Sequence, residues 1–251
     1  MIIKLILFFI LNILVYSLLL FSLKQIKLYQ NIYKLSPPSH QTKKQTPSFG
    51  GLGLLLTLSL SLFLFGFYTK ELLWLLTLIL SFGGIGFLDD FLSNLHHKNK
   101  GLSAPQKFLT QVILGSFLLF IYSFFIAPLS PFSFLLFLFV IIGASNATNL
   151  TDGLDGLLAG LAILSLIGFI FYFSITNQPL VALFCLIFSL SLFVFLLFNF
   201  HPAKIFMGDT GALAIGAGLA GLSLLLNNPW CLILLGSVYI LETLSVIIQV
   251  I

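Results

Sequence analysis

Apolar runs close to the length that crosses a bilayer alternate with short polar breaks along nearly the whole chain. A membrane-spanning helix needs about 20 predominantly apolar residues. The pattern predicts nine spans, at residues 2–23, 50–67, 72–88, 108–127, 132–148, 157–175, 180–200, 212–226 and 230–250. No alternation of the barrel type is visible, and an isolated span must satisfy its own backbone hydrogen bonds, so each is predicted as an α-helix. The Gly/Ala-rich eighth span is expected to reach back toward Gly208, with Gly211, Ala212, Ala214, Gly216, Gly218 and Gly221 allowing close packing against neighbours. The first run, Leu5 to Phe21, follows Lys4 as in a signal peptide. It is longer than an ordinary signal core and lacks a small-residue cleavage site, so it is predicted as a retained span. The expected fold is an all-α polytopic membrane protein, residues 1–251 forming a single integral membrane domain.

Composition supports that class. Hydrophobic residues make up 59% of the 251 and charged residues 7%, against about 25% charged in a soluble domain. Mean hydropathy is +1.16 and there are 29 phenylalanines. Cys185 and Cys231 both fall inside apolar runs, which argues against a disulfide framework or a thiolate metal site.

Charge then orients the spans. All 11 basic residues are lysines. Nine of them (Lys24, Lys27, Lys34, Lys43, Lys44, Lys98, Lys100, Lys107 and Lys204) fall on one side of the alternating arrangement, which the positive-inside rule makes cytoplasmic. The same threading brings Asp89, Asp90, Asp152, Asp155 and Asp209 to that side. A carboxylate beside an apolar run carries a desolvation penalty. Three sequence-distant acidic sets on one face, with lysines nearby, suit a metal-bound, polyanionic, water-soluble substrate.

Each set also has a simpler reading. Asp89 and Asp90 end the third span, where acidic residues oppose the helix dipole; adjacent helical residues point about 100° apart, which predicts different roles for the two. In Asn146 to Leu157, the polar residues Asn146, Asn149, Asp152 and Asp155 recur every three positions, and Gly153 and Gly156 permit close approach. Capping of the next helix by Thr151 or Asp152 would explain one of these residues, not four. In Asn199 to Gly211, Asp209 could simply be the N-cap of the eighth helix, and Phe206 a packing residue.

Taken together, the strings Ser39 to Gly51, Asp89-Asp90, Asn146 to Leu157 and His201 to Gly211 closely resemble the polyprenyl-phosphate N-acetylhexosamine-1-phosphate transferase superfamily. Glu242 to Val250 is similar to its ninth helix, and the resemblance covers essentially the whole chain. The loop opening His201-Pro202-Ala203-Lys204 favours the branch using a muramoyl-pentapeptide donor over relatives using UDP-N-acetylglucosamine. The resemblance implies transfer of phospho-N-acetylmuramoyl-pentapeptide from UDP-MurNAc-pentapeptide to undecaprenyl phosphate. UMP is released and the first lipid intermediate of peptidoglycan synthesis is formed. It also implies Mg2+ dependence, the bacterial cytoplasmic membrane with its lipid, and a site facing the cytoplasm. Nucleic acid is not an implied partner, and a homodimer is one arrangement left open.

Residue roles carried over by position are Asp209 as principal magnesium ligand and Asp89 as the group that deprotonates or orients the lipid phosphate. Asp90 would support metal or lysine geometry, and Lys43 would contact phosphate with Ser48 nearby. Asn149, Asp152, Gly153 and Asp155 would line the nucleotide pocket, with Asn199 shaping it. Phe206 would stack on uracil, a contact of roughly 1–3 kcal/mol. Direct displacement and an aspartyl-phosphate intermediate both remain open at this stage.

The chain departs from the pattern in places. Ser93 stands where the family commonly has lysine, leaving Lys98, Lys100 or Lys107 to supply a phosphate contact, and Ser48 and Ala212 replace the more usual threonine and serine. The family continues past the equivalent of Ile251 through a histidine-rich loop and a tenth span, so truncation is expected and the activity of the chain alone is in question. His96 and His97 do not match that loop and are expected to be solvated. Outside the superfamily, an ion-coupled transporter would place its carboxylates near the bilayer midplane, often with internal repeats. A structural anchor would need no Asn/Asp/Gly loops.

Overall fold

The computed structural model describes residues 1–26, 46–95 and 101–250. Their helices are α1 (Ile2–Ile26), α2 (Gly50–Phe65), α3 (Lys70–Leu95), α4 (Ala104–Phe125), α5 (Pro131–Thr151), α6 (Leu157–Ile175), α7 (Pro179–Asn199), α8 (Gly208–Leu225), α9 (Trp230–Leu235) and α10 (Ser237–Val250). Seven are long and apolar enough to cross a membrane: α1 and α3 to α8. Helix α2 and the apolar part of α10 are shorter than that length. This is the all-helical polytopic fold expected, with differences in span length.

The centre of the bundle is α8, in which every residue from Thr210 to Leu224 is buried. It packs against α3, α5 and α2. Its small residues make this possible: a Cβ on Gly51 of α2 would lie 2.1 Å from the Gly211 nitrogen, and one on Gly216 would lie 2.5 Å from the Ala144 carbonyl of α5. Backbones in such contact gain dispersion that lipid tails cannot supply. By contrast α1 is peripheral. It buries only Phe8, Asn12, Tyr16 and Leu23, a stripe near helical period facing α2 and α7.

Two boundaries differ from the hydropathy pattern in ways that matter. Helix α3 does not end at Asp89 and Asp90 but continues to Leu95, so both carboxylates project from its body. The ninth span, expected to be continuous over 230–250, breaks at Gly236 into α9 and α10. Glycine is a poor helix former, and the break is held by tertiary bonding: the Leu235 carbonyl accepts from Ser165 Oγ of α6 at 2.7 Å. Leu235 itself lies against Gly168, where a Cβ would come within 2.3 Å of it.

Candidate active site

At one end of the bundle the N-terminus of α8 meets the C-terminal part of α3, the start of α4 and the end of α5. Helix α8 has no cap of its own, since Met207 precedes it without a side-chain cap bond. Asp90 supplies one from α3. Its Oδ2 accepts from Thr210 N at 2.9 Å and Thr210 Oγ1 at 2.6 Å, and its Oδ1 accepts from Asp209 N at 3.2 Å. A carboxylate here is also favoured by the positive end of the helix dipole. The approach requires glycine twice. Gly208 has φ +73°, and a Cβ there would sit 2.6 Å from Asp90 Oδ2; one on Gly86 would lie 2.1 Å from the Asp209 carbonyl. Asp209 therefore occupies the first turn of α8 rather than the N-cap position, leaving its carboxylate free to face outward.

That carboxylate is held by two other helices. Oδ1 accepts from Asn149 Nδ2 of α5 at 2.8 Å, and Oδ2 is paired with the Lys107 ammonium of α4. The same ammonium lies 3.4 Å from Asp89 Oδ2, while Asp89 Oδ1 accepts from the Leu102 N–H just before α4. Side-chain exposures of 16% for Lys107, 17% for Asp89 and 27% for Asp209 leave one side of the cluster open to solvent. Asp89 and Asp90, adjacent in sequence, thus serve different partners. Lys107 sits at the centre of the cluster, although the sequence offered it only as one of three lysines able to replace a phosphate contact. A local signal exists: Ser103 and Gln106 form a reciprocal capping box with Pro105 in the first turn, fixing a helix start that presents Lys107 beside the acidic pair.

A second arm is built on the segment between α7 and α8. Asn199 Oδ1 accepts from Gly156 N at 2.8 Å and its Nδ2 donates to Ile205 O at 2.8 Å, so this buried amide staples the segment to the start of α6. Asp155 Oδ2 accepts from Ala203 N at 3.2 Å and lies 3.0 Å from His201 Nδ1. Phe206 is tied through its backbone, donating to Pro47 O at 2.8 Å and accepting from Gly50 N at 2.8 Å, which leaves its ring half-buried at the rim. Ser48 is buried with its Oγ about the Gly208 position, 3.0 Å from where a Cβ would stand. Gly153 is exposed and has open space around it. Asp152 is half-buried, and loss of solvent raises its carboxyl well above the usual range; the negative charges of Asp209 and Asp90 push the same way, opposed by a bond from the Gly208 N–H. Asp152 does not cap the next helix: it stands at the C-cap of α5, and the residue before α6 is Gly156. Lys43, expected at the phosphates, lies outside the described residues, as do Lys98, Lys100, His96 and His97.

The donor set was tested for a hard cation. Among the described residues no three His, Cys, Asp or Glu side chains form a ready-made cage. Two carboxylates from different helices nevertheless converge on one positive charge, the Lys107 ammonium between Asp89 and Asp209. Two carboxylates plus water and substrate phosphate is a common way to hold magnesium, which gives up its waters reluctantly. The chemistry of this donor set fits such an ion.

Comparison with known proteins gives a concordant picture. Residues 72–227 match the family described as glycosyl transferase family 4. The phospho-N-acetylmuramoyl-pentapeptide-transferase of Staphylococcus epidermidis is 36% identical over 249 residues, covering 91% of this chain and 77% of the relative. Its namesake from Listeria monocytogenes is 39% identical over 247 residues, covering 91% and 76%. That of Staphylococcus aureus is 36% identical over 248 residues, covering 91% and 77%.

Proposed function

The chain belongs to glycosyl transferase family 4, and on that footing we propose that it moves phospho-N-acetylmuramoyl-pentapeptide from UDP-MurNAc-pentapeptide to undecaprenyl phosphate. The observation that carries this reading is the convergence of Asp89, Lys107, Asn149 and Asp209 from four helices onto one solvent-open point at the end of a membrane bundle. One reactant is a soluble nucleotide and the other a lipid phosphate. Their chemistry belongs at such a boundary, and the lysine distribution favours the cytoplasmic one.

An oxygen of the lipid phosphate attacks the β-phosphorus of the donor, a new P–O bond forms, and the bond from that phosphorus to the bridging oxygen breaks with UMP leaving. One pyrophosphate replaces another, so alignment and charge neutralisation are the main tasks. A phosphate monoester has its second pKa near about 6 and is largely dianionic at neutral pH. Asp89 is accordingly needed less as a base than to hold the Lys107 ammonium toward the attacking phosphate. Magnesium, held by Asp209 and Asp89, would supply the remaining positive charge at the pyrophosphate. Asn149 orients Asp209, Asp152 and Asp155 border the nucleotide side, Phe206 offers a face for uracil, and Asn199 keeps that rim in place.

The reading is tested by UMP release from purified protein in detergent with both substrates and magnesium. Asp209→Asn should abolish release, and UDP-N-acetylglucosamine should not replace the donor. Release with the latter alone would redirect the assignment to another branch of the superfamily. Ion flux without UMP would favour a transporter.

A further inference from the structure

Gln111 is fully buried in α4 of an otherwise apolar bundle, and its partner lies outside the site just described. Asn146 Nδ2 of α5 donates to Gln111 Oε1 at 2.8 Å and to Ile142 O of its own helix at 2.8 Å, while Gln111 Nε2 stands 3.5 Å from Asn146 Oδ1. Asn146 belongs to the three-residue polar repeat seen in the sequence, but the proposed chemistry gives it no task.

Its location does. Lys107 precedes Gln111 by four residues, about 6 Å along α4, and Asn149 follows Asn146 by three, about 4.5 Å along α5. Residues so spaced share a helix face. The amide pair therefore lies about one turn beneath the two side chains that grip the opposite oxygens of Asp209.

The lysine's helix needs such a device. Helix α4 packs chiefly against α3 and α5, and its outer face exposes Phe108, Leu109, Ile113, Phe117, Phe120 and Phe124. Apolar contact alone sets helix register weakly in a membrane, because lipid tails are as apolar as leucine. Directional bonds set it instead. Toward α3 they come from Trp74 Nε1, which donates to Leu118 O at 2.8 Å, and from Lys70 Nζ, which donates to Phe125 O at 2.9 Å. Toward α5 they come from Gln111 and Asn146.

We infer that the Gln111–Asn146 pair is a positioning element for the reaction, setting α4 against α5 so that Lys107 and Asn149 reach the two carboxylate oxygens of Asp209 together. The inference rests on the transferase reading for its kinetic consequence, but not for its geometric one.

Three variants test it by UMP release: Gln111→Leu with Asn146→Leu, Gln111→Asn alone, and the exchanged pair Gln111→Asn with Asn146→Gln. The first two should lose about tenfold or more in kcat, the scale of a small misplacement at a reacting centre. The donor KM should stay within about twofold. The exchanged pair, which restores both amides, should regain most of the rate. In a Lys107→Met background the same substitutions should bring little further loss, since they act through that lysine. A turnover-free readout accompanies these: cross-linking of Lys107→Cys to Asn149→Cys by a short bis-methanethiosulfonate in a Cys231→Ser chain. It should be fast with the amide pair intact and slow with both leucines. Unchanged kcat and cross-linking in the leucine pair, or an equal further loss in the Lys107→Met background, overturns the inference. If the unaltered protein releases no UMP, the transferase reading fails while cross-linking still decides the role of the pair.

Discussion

Thr210→Val is the most informative single change, because it separates the cap on α8 from the chemistry above it. The substitution keeps the shape and removes one donor, the hydroxyl 2.6 Å from Asp90 Oδ2. Asp90 retains the two N–H donors of Asp209 and Thr210 at 3.2 and 2.9 Å. A hydrogen bond to a charged group contributes about 1.5–3 kcal/mol, and a helix cap about 1 kcal/mol. Loss of the hydroxyl should therefore destabilise the folded protein by about 2 kcal/mol. If part of that loosens the first turn of α8, about 1.4 kcal/mol less hold on the bound cation corresponds to a tenfold higher magnesium requirement. The assay is UMP release over a magnesium titration, with thermal unfolding in detergent alongside. The expected result is a half-saturating magnesium concentration raised about tenfold, kcat at saturating metal within a few-fold of normal, and a donor KM little changed. Asp90→Asn should behave similarly and more severely, since an amide cannot accept from both sides. Normal magnesium dependence in Thr210→Val together with complete loss in Asp90→Asn at every metal concentration would refute the reasoning. Asp90 would then act on the substrate directly.

Lys107→Met should lower turnover by about 100- to 1,000-fold while leaving a folded protein, because it removes the positive charge shared by Asp89 and Asp209 without disturbing the capping box that starts α4; a rate within about tenfold of normal would contradict its place at the centre. Gly51→Ala puts a methyl 2.1 Å from the Gly211 nitrogen and should cost about 3 kcal/mol or prevent folding, whereas Gly84→Ala, with nothing within 4 Å, should be neutral or stabilising by up to about 1 kcal/mol. Thermal unfolding reads both. Asp152 gives a pH signature: its carboxyl is raised on folding, so the folded state holds that proton more tightly than the unfolded chain. Its contribution is most favourable below the unfolded pKa of about 4 and diminishes as pH rises toward the folded pKa. Asp152→Asn should remove that decline, so the variant gains stability relative to the parent as pH rises above about 4; parallel curves would show that folding does not raise this carboxyl.

Much of the fold was legible because hydropathy reports the solvent around each residue directly. Helix type, the membrane class, and the reach of the eighth span back to Gly208 follow from apolar run length and small-residue content. The misjudged boundaries have physical causes. Asp89 and Asp90 looked like a helix end because charge normally marks the edge of a span, yet α3 carries them inward of its terminus to serve other helices. The break at Gly236 was masked by apolar residues on both sides, and the bond from Ser165 to the Leu235 carbonyl that helps hold it comes from a distant helix.

Of the site, the sequence by itself determined the membership: which polar residues stand at the ends of apolar runs, and that their strings resemble a phosphoglycosyl transferase. It determined these because burying an unpaired carboxylate in lipid is too unfavourable for such residues to stand there without partners. Which partner each one takes was decided only by tertiary structure. Asp90 became a cap and Asp89 a partner of lysine, Asn199 became a staple, Lys107 moved to the centre, and Asn146 found its partner in Gln111 one turn beneath. Hydrogen bonds and ion pairs depend on distances between helices far apart in the chain, and no local pattern of residues encodes those distances.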